Sequence, residues 1–423
     1  MHRAIMELGL RRAGFPSLER FMTVRGFKTE DEATEGLMPY ILGYDLWRVR
    51  PGDTYTKIAR ELGSSVRAIQ TANPQYTPEN LPVGAYLAVP FSFPVVPEDT
   101  PFSWQMTHYA IRGLQVRYPF LRMDVIGHSS GGRPLERVQL GCGERVVYYN
   151  ASHHANEWIT TPLVLRCLER YAEAVAFGEK IMEIDAGSLF REVSLYLTPL
   201  VNPDGVDLLA GMVTSREQAA AEAIASDFPD IPFPDGWKAN LRGVDLNLNY
   251  PAGWDQAREI KFEQGYTTPA PRDYVGECPL SEKESRAMFE STKELDPDLV
   301  IAWHTQGREI YWKFQDMEPG GARTLGLQMA EASGYELENV PYASGFAGYK
   351  DWFVQDYNRP GYTVEAGLGD NPLPLEQLPQ MIEENMPIFL LGISGGDPDY
   401  RPPKPEPMAR PVETRPRQES SWG

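Results

Sequence analysis

Cysteine is scarce in this chain of 423 residues: there are three, Cys142, Cys167 and Cys278. No Cys-x-x-Cys pair occurs among them, so neither a disulfide framework nor a thiolate zinc site is indicated, although one bridge stays open. Long apolar runs are missing as well. No stretch approaches the roughly 20 residues that a membrane-spanning helix needs. Positive charge is in deficit, with 59 Asp and Glu against 40 Lys and Arg and a net charge of −19. That balance opposes binding to nucleic acid and to anionic membranes, and neither is expected as a partner. The start, Met1 to Glu7, carries charge where a secretory peptide would place its apolar core. Synthesis as a cytoplasmic protein is therefore the expectation. What is present, 42% hydrophobic and 11% aromatic residues, suffices for a large core.

Residues 1–43 read as a leader of uncertain structure, with helical spacing from Ala4 to Ala13 that Gly14 could end. Over 44–90 the pattern sharpens. A short strand and turn (Trp47 to Thr54) lead into a short helix (Thr56 to Leu62) closed by Gly63. Ser65 caps a second helix, Ala72-Asn73-Pro74 stops it, and Leu81 to Pro90 returns as a strand. This β-α-α-β order, with Gly52-Asp53-Thr54, Ile58-Ala59, Ala72-Asn73-Pro74 and Val83-Gly84 in sequence, resembles a LysM domain. The resemblance implies binding to N-acetylglucosamine-containing glycans such as peptidoglycan. Residues 91–103 have the stiff composition of a Pro-rich linker. Residues 104–397 form the remaining domain, and the Pro-, Arg- and Glu-rich 398–423 is expected to be a disordered tail.

The centre of the large domain is Tyr148 to Thr161. A β-prone run ends in small polar residues, presents His153, His154 and Glu157, and passes Thr161-Pro162 into a helix, for which Thr161 suits the cap and Pro162 the first turn. His154 and Glu157 then lie in the connection at the carboxyl end of a strand, where open α/β sheets place their sites. A histidine and a carboxylate three apart can reach one zinc ion and leave room for a distant third ligand. Elsewhere, Gly127-His128-Ser129-Ser130-Gly131 matches a nucleophile elbow, the reading of a serine hydrolase. An elbow turns straight from strand to helix, whereas here Gly131-Gly132-Arg133-Pro134 and an alternating run predict a β-hairpin.

His-His-Ala-Asn-Glu-Trp-Ile-Thr (153–160) resembles the zinc signature of the carboxypeptidase A family, as do the Ile126 to Arg133 segment, Asn202-Pro203-Asp204-Gly205 and Gly243-Val244-Asp245-Leu246-Asn247. The resemblance implies an α/β fold with a mixed eight-stranded sheet between helices, and one Zn2+ per catalytic domain. It makes Asp245 the partner that orients His154 and Asn247 a substrate-binding residue. Among the six histidines, His304 at the end of the apolar run Leu299 to Trp303 is the remaining candidate for the third zinc ligand. Glu365, after the apolar run Tyr362 to Val364, matches the family's general base. Arg242 is the candidate for polarising the scissile carbonyl, with Lys238 as its rival, and Tyr342, ahead of Tyr349, matches the substrate-capping tyrosine.

One position departs from the family. Leu248 stands where an arginine grips the substrate's terminal carboxylate, and leucine cannot make those paired charge-assisted bonds. Joined to a LysM domain, this pattern resembles bacterial γ-D-glutamyl-L-diamino acid endopeptidases. The implied activity is cleavage of peptidoglycan stem peptides, in the cell wall, in spores or in released fragments, between D-glutamate and meso-diaminopimelate. Tripeptide and tetrapeptide stems should both be accepted. The alternatives are a conventional metallocarboxypeptidase and a non-catalytic peptidoglycan-binding protein.

Overall fold

The run Leu299-Val300-Ile301-Ala302-Trp303 is apolar on both faces, a pattern that suits only a strand covered on two sides. It forms the middle of the structure. The computed structural model describes residues 3–396, so the tail 398–423 lies outside the described residues. Strands β1 (Tyr44–Arg48) and β2 (Tyr86–Pro90) pair with each other, and β6 (Lys180–Ile181) and β7 (Ile184–Asp185) form a small hairpin. All others join one sheet: β3 (Arg122–His128), β4 (Pro134–Leu140), β5 (Arg145–Ala151), β8 (Val193–Thr198), β9 (Leu299–His304), β10 (Glu309–Tyr311), β11 (Glu336–Glu338) and β12 (Gly361–Glu365). Its order is β11-β10-β12-β9-β5-β8-β4-β3. The central four, β12, β9, β5 and β8, run parallel; β10 joins β12 and β4 joins β8 antiparallel, while the edge strand β11 is parallel to β10 and β3 antiparallel to β4.

Strand alternation divides the core in two. Tyr149, Ile301 and Trp303 face one layer, built with the helices Thr160–Phe177, Ala322–Ser333 and Leu378–Ser394. Tyr148, Val300 and Ala302 face the other, against Lys283–Leu295 and Tyr349–Tyr357. Each large side chain buried this way contributes about 1.5–3 kcal/mol. Gly392 marks how closely helix and sheet approach, since a Cβ there would lie 2.1 Å from the Tyr149 hydroxyl.

The register then fixes the site. Glu365 pairs with His304 and Trp303 with Ala151, so β12, β9 and β5 end side by side. This is the mixed eight-stranded, helix-flanked sheet that the resemblance implies.

The β-α-α-β segment has its own small core of Val49, Tyr55, Ile58, Ile69, Leu87 and Val89. Thr54 and Ser65 cap its two helices. Asp53 accepts from Trp47 Nε1 (2.8 Å), the Arg50 amide (2.9 Å) and Lys57 Nζ (2.9 Å), which fixes the turn after β1. Ahead of it lie three helices, Arg3–Arg12, Leu18–Arg25 and Glu30–Leu42, whose Ile5, Leu8, Phe21, Leu37 and Ile41 belong to the main core. Only the first was legible in the sequence; Ser17 and Thr29 cap the other two. Residues 91–103 contain no helix or strand but are firmly held. The amides of Val95 and Val96 donate to the Glu169 carboxylate, and Arg117 donates to the carbonyls of Gly43, Phe91 and Phe93.

In Asn202-Pro203-Asp204-Gly205, Asn202 caps the helix Pro203–Leu209 and Pro203 occupies its first position, where the missing N–H costs nothing. One local expectation is corrected. Thr161 does not cap the helix it precedes, because that helix begins at Thr160 and the Thr161 hydroxyl donates to the Pro199 carbonyl instead.

Candidate active site

Leaving β5, the chain turns sharply at Ser152, whose φ of 54° is unusual for a residue with a Cβ. The Thr160 hydroxyl accepts from the Ser152 amide at 3.0 Å and holds that turn. A single 3-10 turn, Ala155–Glu157, then carries Glu157 back towards His154. His304, arriving at the end of β9, completes a buried triangle. His154 Nδ1 lies 2.8 Å from Glu157 Oε1, His304 Nδ1 lies 3.0 Å from Glu157 Oε2, and the two Nδ1 atoms are 3.1 Å apart.

Two ring nitrogens and a carboxylate so arranged fit a tetrahedral zinc ion, whose ligand atoms at about 2.0–2.1 Å stand roughly 3.3 Å from one another. Two ring nitrogens facing each other across a carboxylate form a poor hydrogen-bond set but a good ligand set. His154, Glu157 and His304 are also the group of metal-ligand type found among the described residues. Asp245 Oδ1 sits 3.1 Å from His154 Nε2 and orients the ring from behind.

Charge is dense around this triangle. Burial opposes a proton on His154, but Glu157 and Asp245 outweigh it and raise its pKa to about 9. Glu157 stays well below the usual carboxylate range: burial works against its charge, and His154 and Lys238 overcome that. Lys238 Nζ is 3.3 Å from Glu157 Oε1. Glu365 behaves in the opposite way, since loss of hydration and then the Glu157 charge lift it to about 8. A carboxyl that holds or releases a proton near neutrality is what acid–base chemistry requires.

The triangle opens onto a cleft of about 680 Å³ whose walls include His154, Asn156, Lys238, Asp245, Asn247, Leu248, Lys261, Arg272, Lys350 and Glu365. Asn247 Oδ1 accepts from the Tyr349 amide at 3.0 Å.

Arg242 is a correction: its side chain is 60% exposed, points to Glu282 at 3.5 Å and lines a separate surface hollow. The backbone explains this. The Asn240 side chain accepts from the amides of Arg242 and Val244, closing a tight loop that throws Arg242 outward and leaves Lys238 inside. Tyr342 stands outside the cleft wall, 64% exposed and packed edge-on against Phe346, while its neighbours Pro341 and Ser344 reach the cleft. Tyr349 is fully buried with its hydroxyl on Thr292, so it faces away.

Ser129 is buried in a β-hairpin turn and pairs with Asp204. It has no path to a substrate. Lys261, Arg272 and Lys350 were missed in the sequence, where isolated basic residues carry no spacing signal.

The zinc carboxypeptidase family model matches residues 107–388, and the LysM domain model matches residues 48–90. Gamma-D-glutamyl-L-diamino acid endopeptidase 1 of Lysinibacillus sphaericus is 41% identical over 69% of this chain and 72% of its own. An uncharacterized protein of Bacillus subtilis (strain 168), YqgT, is 39% identical over 62% of this chain and 68% of its own. Among solved structures, carboxypeptidase A of Helicoverpa armigera aligns with a TM-score of 0.55 at 18% identity, covering 87% of this chain and 95% of that chain. At that identity the likeness speaks to the fold.

Proposed function

The chain belongs to the zinc carboxypeptidase family and carries a LysM domain ahead of the peptidase, and from that premise we propose that it hydrolyses the γ-D-glutamyl–meso-diaminopimelate bond of peptidoglycan stem peptides. The observation that carries this reading is Leu248. An apolar side chain stands in the cleft wall where a terminal-carboxylate clamp would need a guanidinium. An enzyme of this kind has no need of a chain end on the leaving side. The name of the Lysinibacillus relative supports the same bond, and a LysM module supports a glycan-bearing substrate.

His154, Glu157 and His304 would hold the zinc. When bound, the ion supplies Lewis acidity, which makes water nucleophilic near neutral pH. Asp245 keeps His154 turned to the ion. Glu365 takes the proton of the attacking water and returns it to the leaving amine, the two halves of general acid–base catalysis. Lys238, inside the cleft beside Glu157, provides positive charge where the carbonyl oxygen becomes an oxyanion, the place first given to Arg242. Asn247 lines the substrate's path.

The test is purified protein with L-Ala-γ-D-Glu-meso-diaminopimelate, with and without chelator, read by mass spectrometry. Chelator-sensitive release of diaminopimelate is expected, and of diaminopimelyl-D-alanine from the tetrapeptide. Trimming of ordinary α-linked C-terminal residues with the γ-bond intact would instead mark a conventional carboxypeptidase. Glycan binding with no turnover would mark a binding protein.

A further inference from the structure

Four cationic side chains line the cleft, and three of them are already engaged. Lys238 faces Glu157 at 3.3 Å. Lys261 Nζ lies 2.5 Å from Asp273 Oδ1. Lys350 is buried, donates to the Lys313 carbonyl at 2.7 Å and pairs with Asp351. Arg272 differs. Its Nε donates to Asp273 Oδ2 at 2.7 Å, and its two terminal nitrogens have no partner among the described residues. The side chain is 42% exposed, at the cleft wall.

The loop under Arg272 is rigidly placed. The amides of Lys238 and Ala239 both donate to the Pro271 carbonyl (2.8 and 2.9 Å), and the Asp245 amide donates to Tyr274 (2.8 Å). Asp273 holds a φ of 65°, a costly conformation for a residue with a side chain, and its carboxylate serves both Arg272 and Lys261. A guanidinium held at Nε, with both terminal nitrogens unpartnered on a residue of the cleft wall, is a preorganised carboxylate receptor.

We infer that Arg272 is a specificity-determining residue that binds the free α-carboxylate of the D-glutamyl residue. This rests on the substrate reading above. The choice of carboxylate follows from position. Arg272 is tied through Pro271 to Lys238, the residue placed at the scissile carbonyl, and in a γ-linked glutamate the α-carboxylate lies three carbons from that carbonyl. A terminal-carboxylate role would require a chain end that Leu248 leaves unread.

The test compares wild type, Arg272→Gln and Arg272→Lys on three peptides: L-Ala-γ-D-Glu-meso-diaminopimelate, the same peptide with D-isoglutamine in place of D-glutamate, and the same peptide amidated on diaminopimelate. Wild type should lose at least about tenfold in kcat/KM on the D-isoglutamine peptide, the order of one charged hydrogen-bonded contact. The loss should sit in KM, because this carboxylate keeps its charge through the reaction. Arg272→Gln should cleave the two glutamyl variants equally, Arg272→Lys should recover part of the discrimination, and zinc content should not change. Dissociation constants on zinc-depleted protein should move in the same ratio. Unchanged discrimination in Arg272→Gln, or wild-type discrimination confined to the diaminopimelate amide, overturns this assignment alone. Failure of wild type to cut any of the three overturns the substrate reading, and the assignment with it.

Discussion

Two turns in this molecule, Gly127–Arg133 and Ser152–Glu157, both read like active-site sequences, and each buries the side chains that suggest it, Ser129 in the first and His154 and Glu157 in the second. In the first, polarity is matched. Ser129 Oγ donates to Asp204 at 2.7 Å, the Gly131 amide donates to the same carboxylate, and Arg133 reaches both Asp204 and Asp207 at 2.7 Å. At the second, like faces like: a ring nitrogen of His154 and one of His304, brought in by β9, stand 3.1 Å apart across one carboxylate, and His304 Nε2 has no partner among the described residues. A set of acceptors converging on a point is complete only when a cation fills it, whereas a set of matched donors and acceptors is complete already. Burial and motif do not separate structure from chemistry here; the pairing of donors does.

The largest effect should come from His304→Ala, which removes the ligand that β9 brings to the second turn: bound zinc and turnover should both vanish in metal analysis and assay. His153→Ala, whose ring bonds to Tyr250 at 3.0 Å, should keep most of the metal. Full zinc in His304→Ala would break the comparison at its base. Next, Glu365→Gln should retain zinc and lower the rate by a factor of at least about 100, within the range of general acid–base catalysis. Near-normal turnover would remove Glu365 from the mechanism.

On the matched side, Arg133→Met leaves Asp204 and Asp207 buried without their cation. It should cost on the order of 3 kcal/mol in denaturant unfolding while the folded fraction keeps its rate. A collapse of turnover at unchanged stability would show that this turn serves the chemistry directly.

The smallest effect is a pH slope. Glu284, fully buried, accepts from the Ser130 amide at 2.9 Å, and burial lifts its pKa to about 7. Between its unfolded value near 4.5 and 7, the native state binds more protons than the unfolded state. Stability should therefore fall as pH rises through that window. Glu284→Gln should flatten the slope, and an identical slope in the variant would assign it elsewhere.

Much of this was legible in the sequence because the signals were local. His154 and Glu157 are three apart, Leu299 to Trp303 is apolar without interruption, and the LysM turn residues follow one another in order. The errors arose where a side chain's direction depends on a distant partner. Arg242 and Lys238 are alike in sequence, and Asn240 decides which of them faces the cleft. Arg272 and Lys261 come together only because Asp273 joins them. The second and third N-terminal helices were missed because Pro39 and Gly36 in the third, and a short length in the second, blur their periodicity.

Arg117 has a mechanical consequence. It holds Gly43, where the chain enters the LysM segment, together with Phe91 and Phe93, where it leaves. The module is therefore tied to the body of the molecule at its entry and its exit by the same buried arginine, so that losing this one side chain would loosen both ends at once.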